Sequence, residues 1–270
     1  MTADQAAEMV PPAIFLHSNW RSSGTYVWAK FRSLPGMYCY FEPLNERLAT
    51  VTQEAVDTVR PSSFANHPDL DAPCFAEYRP LLGPDGGIAG FPSDLIFRHY
   101  RLAADDPAPR LQAYVDGLTQ FAHRQGRVPV FGLVRSSLRV GWFRRHHPGV
   151  HIYILRDPRR QFASYLAQAL RGDSYFLERP WVIFGNNRDD PAFALLRALI
   201  NVDDAPADAD NAYWATRGWQ ASPADVYLIF YFLHRLAMRD VAGNCDLVID
   251  VDRLAGDAAA IAETERRVAA

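Results

Sequence analysis

An α/β fold, with a central parallel sheet of about five strands flanked by helices, is predicted by three observations. Apolar runs of strand length recur along the chain: Ala13–Leu16, Met37–Phe41, Val128–Phe131, His151–Leu155 and Leu247–Val251. Helix-like segments alternate with them: Gly24–Arg32, Ala108–Gln125, Ser136–His146, Pro158–Leu170 and Ser222–Arg239. The first four runs each lead into a polar turn or a helix start, as in a parallel sheet covered on both faces.

The first run enters the loop His17-Ser18-Asn19-Trp20-Arg21-Ser22-Ser23-Gly24-Thr25, and the amphipathic stretch Tyr26 to Phe31 follows at once. A strand, a tight turn and a helix start in that order aim unpaired backbone N–H groups and the positive end of the helix dipole at one point. Such a point suits phosphate or sulfate. Lys30 is the only lysine and falls inside the predicted helix. The ATP-binding pattern G-x-x-x-x-G-K-[ST] is therefore absent.

The second run ends in Phe41-Glu42-Pro43, and Arg135 and Arg139 follow the third. One of these two arginines is placed to reach a nucleotide; Arg139 reads equally well as a solvated helix residue. The fourth run ends at Arg156, Asp157-Pro158 opens the next helix, and Ser164 stands eight residues after Arg156. In open α/β sheets ligands sit at the carboxyl ends of the strands. Arg156 is thus expected to share a crevice with the Arg21 loop. Ser222-Pro223-Ala224-Asp225 combines a cap residue, Pro at N1 and an acid at N3. The apolar Val226 to Leu233 after it predicts a buried helix.

The 270 residues, 49% of them hydrophobic, suffice for one well-buried core, and a single domain spanning 1–270 is expected. Two stretches rich in Pro, Gly, Asp and Asn, at about 60–106 and 185–219, break the alternation. They are expected to be insertions that bind an acceptor or form a lid. A net charge of −3 gives no general attraction to nucleic acid or to an anionic membrane, so an anion site has to be made locally. Three distant cysteines, without C-x-x-C or zinc-like His spacing, indicate neither a disulfide framework nor a metal site. Met1–Pro12 has no signal-peptide character and no run approaches the ~20 apolar residues of a membrane span. A cytoplasmic location is the expectation.

Arg21-Ser22-Ser23-Gly24-Thr25, taken with Arg156 and Ser164, resembles the sulfotransferases that use 3′-phosphoadenylyl sulfate (PAPS). In that family a strand is followed by [R/K]-S-G-T-[T/S], which binds the 5′-phosphosulfate. A later strand ends in an Arg with a Ser eight residues on, and these bind the 3′-phosphate. Arg21, Ser22 and Thr25 match the first motif in register, with Ser23-Gly24 standing where Gly-Thr is usual. Phe41-Glu42-Pro43 is similar to the strand-end Glu of the carbohydrate and tyrosyl-protein branch, the general base on the acceptor hydroxyl. The resemblance implies a P-loop nucleotide-kinase-like fold and in-line transfer of a sulfuryl group from PAPS, leaving the bisphosphate PAP, without a metal. Arg21, Ser22, Ser23, Gly24, Thr25, Tyr26, Arg156 and Ser164 would bind the cofactor. Arg21 and Glu42 would be catalytic. The partner would be a hydroxyl of a carbohydrate or small-metabolite acceptor.

Plainer roles stand beside these. Ser22 or Ser23 can merely cap a helix, Ser164 can bond back to its own helix, and Arg156 can pair with Asp157 or Glu178. Glu42 can pair with Arg47 or cap a helix at Leu44-Asn45-Glu46, leaving Glu46 as a reserve base. His17 reads as a hydrogen-bonded strand-end residue, and Arg144-Arg145-His146-His147 as a solvated helix end. Two other functions fit the same elements: an ATP-dependent kinase or phosphotransferase, and a non-catalytic nucleotide-binding protein.

Overall fold

The computed structural model describes residues 13–60 and 70–269. Residues 61–69, part of the first expected insertion, and Met1–Pro12 lie outside the described residues. In chain order the elements are β1 (Ala13–Ser18), α1 (Gly24–Arg32), β2 (Met37–Phe41), α2 (Gln53–Thr58) and α3 (Pro109–Arg124). Next come β3 (Val128–Leu133), α4 (Val140–His146), β4 (Gly149–Leu155), α5 (Pro158–Ala169) and α6 (Tyr175–Asn186). The chain ends with α7 (Ala194–Leu199), α8 (Asn211–Gln220), α9 (Pro223–Val241), β5 (Leu247–Asp250), α10 (Val251–Leu254) and α11 (Ala258–Ala269).

Among the described residues, five strands form one all-parallel sheet in the order β2-β3-β1-β4-β5. The chain leaves central β1 toward one edge and returns past it toward the other. The crevice at the carboxyl end of β1 is therefore the topological switch point. Helices α1, α3, α4 and α11 pack against the sheet, while α5, α6, α8 and α9 pack on one another. In α3, Leu111, Tyr114, Val115, Leu118 and Ala122 fall on one helical stripe and are buried. Asp157 accepts from the N–H groups of Arg159 and Arg160, so α5 begins with its own carboxylate cap.

The two Pro- and Gly-rich stretches take definite form, and the expectations for α4 and α9 are corrected. The stretch 185–219 is largely helical: α6 runs through Gly185 to Asn186, and α7 and α8 follow. Gly185 permits this, because a Cβ there would lie 2.0 Å from the Trp214 ring of α8. The described part of 60–106 packs Tyr78, Phe91, Ile96, Phe97 and Tyr100 into the core. Helix α4 begins only at Val140, after a turn closed by the Arg139 N–H on the Ser136 carbonyl. Finally, α9 is buried along Val226, Ile229, Phe230, His234 and Ala237 but carries Tyr231 on its exposed side. Among the described residues, no helix is long and apolar enough to cross a membrane.

Candidate active site

The β1–α1 loop has a strained backbone. Arg21 (φ 61°) and Ser23 (φ 67°) are left-handed, as is Glu42 (φ 41°) at the end of β2. Among the described residues the only other non-glycine residue of this kind is His99. Such conformations cost ~1–3 kcal/mol each and persist where the surroundings enforce them. The backbone thus marks three of the residues that the sequence singles out. Ser23 occupies a left-handed position that glycine serves more cheaply. Gly24 is needed for a different reason: a Cβ there would lie 2.6 Å from the Ser18 hydroxyl. The offset between Ser23 and Gly24 therefore separates a conformational requirement from a steric one.

Ser23 is the N-cap of α1, yet its side chain makes no capping bond, and the first turn holds no acidic residue. The N–H groups of Tyr26 and Val27 bond to the Ser23 carbonyl. Those of Gly24 and Thr25 lie in the first turn, where no helical carbonyl precedes them. Ser22 is turned inward: its hydroxyl donates to the Asn19 carbonyl at 2.6 Å, and its N–H reaches the same oxygen at 3.3 Å. In this arrangement the Ser22 hydroxyl shapes the loop through Asn19. Thr25 is buried, while Tyr26 is half exposed with the Lys30 ammonium 5.4 Å from its ring centre.

The second motif folds onto the first. Arg21 Nε–H donates to Ser164 Oγ at 3.0 Å, and Arg156 Nη1 donates to the Arg21 carbonyl at 2.7 Å. Arg156 therefore braces the loop and pairs with neither Asp157 nor Glu178. Burial, then the cations Arg156 and Arg171, hold the Arg21 guanidinium below its ordinary pKa, against the pull of Tyr165 and Asp173. An anion bound here would relieve that repulsion. One departure from the resemblance stands out: the Arg21 side chain lies with Ser164, whereas the motifs would assign those two residues to different phosphates.

A second cluster lies at the ends of β2 and β3. Arg135 is buried, donating from Nη1 to Glu42 Oε2 at 2.8 Å and from Nη2 to Glu46 and to the Tyr175 hydroxyl. Its guanidinium lies 5.2 Å from the Trp20 ring centre and 6.0 Å from that of Phe97. Burial alone would favour its neutral form. Tyr175, Glu46 and Glu42 outweigh that and hold it above its ordinary value, fully charged. Burial likewise opposes ionisation of Glu46, but Arg135, its own N–H and Tyr175 bring its carboxyl below the usual range. Glu42 neither pairs with Arg47 nor caps the following turn; Asn45 is that cap. Arg139, expected at the surface or near a nucleotide, is instead fully buried. It donates to the carbonyls of Leu95, Arg98, His99 and Tyr100, and burial brings it down to about 10. No feature of the sequence marks either arginine as buried, beyond its place just past a strand.

Trp20 and Phe176 join the clusters. The Trp20 carbonyl accepts from Gln161 and Tyr165 of α5, while its indole stacks on Arg135. Phe176 lies under Arg21 at 5.5 Å and next to Tyr175. A cationic group and a carboxylate group thus flank the loop at the carboxyl end of the sheet.

Behind it, His17 is held as the sequence suggests. Its Nδ1 lies 2.8 Å from Ser136 Oγ and its Nε2 3.1 Å from His151 Nδ1; His151 Nε2 faces the His147 carbonyl. A carbonyl only accepts, so His151 carries its proton on Nε2. His17 then carries its own on Nε2 and accepts the Ser136 hydroxyl proton at Nδ1. Burial, then His151, holds the His17 imidazole well below its usual value. His147 is buried rather than solvated. Asp116 lies 3.2 Å from its Nδ1, but burial brings the imidazole down to about 4, so near neutral pH the contact is a hydrogen bond and not an ion pair. Among the described residues, no group of three or more His, Cys, Asp or Glu gathers as a metal site. No family model, curated protein or solved structure matches this chain.

Proposed function

We propose that this chain is a sulfotransferase that moves a sulfuryl group from PAPS to a hydroxyl of a carbohydrate or small-metabolite acceptor. The observation that carries the reading is the convergence of Arg21 and Arg156 beside the uncapped N-terminus of α1, at the switch point of the sheet. A helix start without an acid and a pair of mutually repelling arginines are what a doubly phosphorylated nucleotide would need.

The chain's own groups divide the work. The N–H groups of Gly24 and Thr25, with Arg21, hold the 5′ end of the nucleotide; Arg156 and Ser164 hold the 3′-phosphate. Tyr26, half exposed beside the same turn, borders the nucleotide. PAPS, when bound, supplies the activated sulfuryl group. Glu42 removes the proton of the acceptor hydroxyl, and the loop's donors meet the negative charge that develops opposite it. Incubation with radiolabelled PAPS and a panel of sugar and small-molecule alcohols tests this directly. Labelled product formed without added Mg²⁺ is expected; no product with any acceptor would defeat the proposal.

The sheet order would also serve an ATP-dependent phosphotransferase, although the loop lacks the Gly-Lys-[Ser/Thr] of that class; Mg²⁺-dependent phosphate transfer from ATP would favour that alternative. Saturable PAP binding without transfer would favour a non-catalytic nucleotide-binding protein.

A further inference from the structure

Among the described residues, the donors that reach the Glu42 carboxylate both land on one oxygen. Arg135 Nη1 lies 2.8 Å and Asn45 Nδ2 2.7 Å from Oε2, and no described donor reaches Oε1. The backbone under this side chain is left-handed and closed by the Asn45 N–H on the Glu42 carbonyl at 2.8 Å. Arg135 is itself fixed from several sides: by Glu46 and Tyr175 through its other arm, and by the rings of Trp20 and Phe97. One buried cation is therefore shared by two carboxylates from the β2 side, with an aromatic from the anion-binding loop stacked on it.

We propose that Arg135 is a positioning residue: by holding Glu42 Oε2, it presents Oε1 as the atom that accepts the acceptor's proton, at a set place relative to the loop. The inference rests on the reading of Glu42 as the base. Arginine suits the task because its planar fork reaches Glu42 and Glu46 at once, whereas a lysine ammonium is a point charge that cannot hold both in one geometry. Removing a buried cation outright would strand two carboxylates and endanger the fold, so the informative change keeps the charge.

Arg135→Lys should remain folded by circular dichroism and bind PAP within about threefold of wild type. Its acceptor KM should change little, while kcat falls about 100-fold, the penalty for a reacting group misplaced by roughly 1 Å. Should Arg135→Lys fail to fold, Glu46→Gln, which frees the second arm, decides by the same criteria with a fall of about tenfold. A folded variant with kcat within threefold of wild type would overturn the inference. So would a parallel loss of PAP affinity, since Arg135 would then be a nucleotide ligand. Wild-type protein that binds no PAP would instead remove the parent reading, and the inference with it.

Discussion

Arg21 and Ser164, 143 residues apart in the chain, are joined by a 3.0 Å hydrogen bond from Nε to Oγ. The bond ties the loop after β1 to the second turn of α5. Arg156, at the head of that helix, closes the same connection from the other side through the Arg21 carbonyl. The loop is held in its left-handed shape by the residues proposed to receive the nucleotide.

Arg156→Ala should therefore weaken PAP binding by about 2 kcal/mol, roughly 30-fold, because it removes a charged donor and a loop brace together. Calorimetric titration of PAP into both proteins measures this. Affinity unchanged within a factor of two would take Arg156 out of the site.

Glu42→Gln keeps the size of the side chain and its place beside Arg135 but loses the ability to take a proton. Turnover should fall by about 10²–10⁴, the usual contribution of a general base, with PAP affinity nearly intact. An active Glu42→Gln enzyme would transfer the role to another group, Glu46 first.

The two small residues of the loop should respond oppositely. Ser23→Gly relieves a left-handed serine and should raise stability by ~0.5–1 kcal/mol. Gly24→Ala brings a methyl against the buried Ser18 hydroxyl, which bonds the Leu133 carbonyl, and should cost ~1–3 kcal/mol. Urea denaturation of both variants provides the comparison. Equal effects of one sign would contradict the division of labour between these positions.

Acid should destabilise the fold through its histidines. Burial holds His17, His147 and His151 below their ordinary value, His147 at about 4. The unfolded chain takes up protons near pH 6.5 that the folded chain refuses. Protons bind preferentially to the unfolded state, so stability falls as pH drops from about 6.5 toward 4. Denaturation midpoints at pH 7.5 and 5 should differ in that direction. His147→Leu should narrow the gap, and a midpoint independent of pH over this range would contradict neutral burial.

The sheet was legible because β2 matches its apolar run, Met37–Phe41, and α1 its amphipathic segment, Gly24–Arg32. Strand periodicity and the short loop between these elements need no tertiary information. Helices α6, α7 and α8 were not legible. Pro180 stands inside α6, Gly185 lies near its end, and the segment is helical because Trp214 packs where a side chain on Gly185 would be. At the site, the resemblance to the PAPS-dependent sulfotransferases singled out Arg21, Arg156 and Ser164, but not the bond between Arg21 and Ser164. Arg135 could not be singled out, since a buried arginine and a surface one look alike until the two carboxylates that hold it are in place. The inward turn of Ser22 was hidden for the same reason: its partner is a backbone carbonyl, which has no signature in the sequence.

The most direct measurement compares calorimetric titrations into the wild-type protein of PAP, whose second phosphate is on the 3′ oxygen, ADP, whose second phosphate extends the 5′ one, and 5′-AMP, which has none. Saturable PAP binding at one site, with both other nucleotides at least tenfold weaker, is the expected result. No saturable PAP binding, or equal affinity for 5′-AMP, would contradict a pocket in which Arg156 and Ser164 receive the second phosphate.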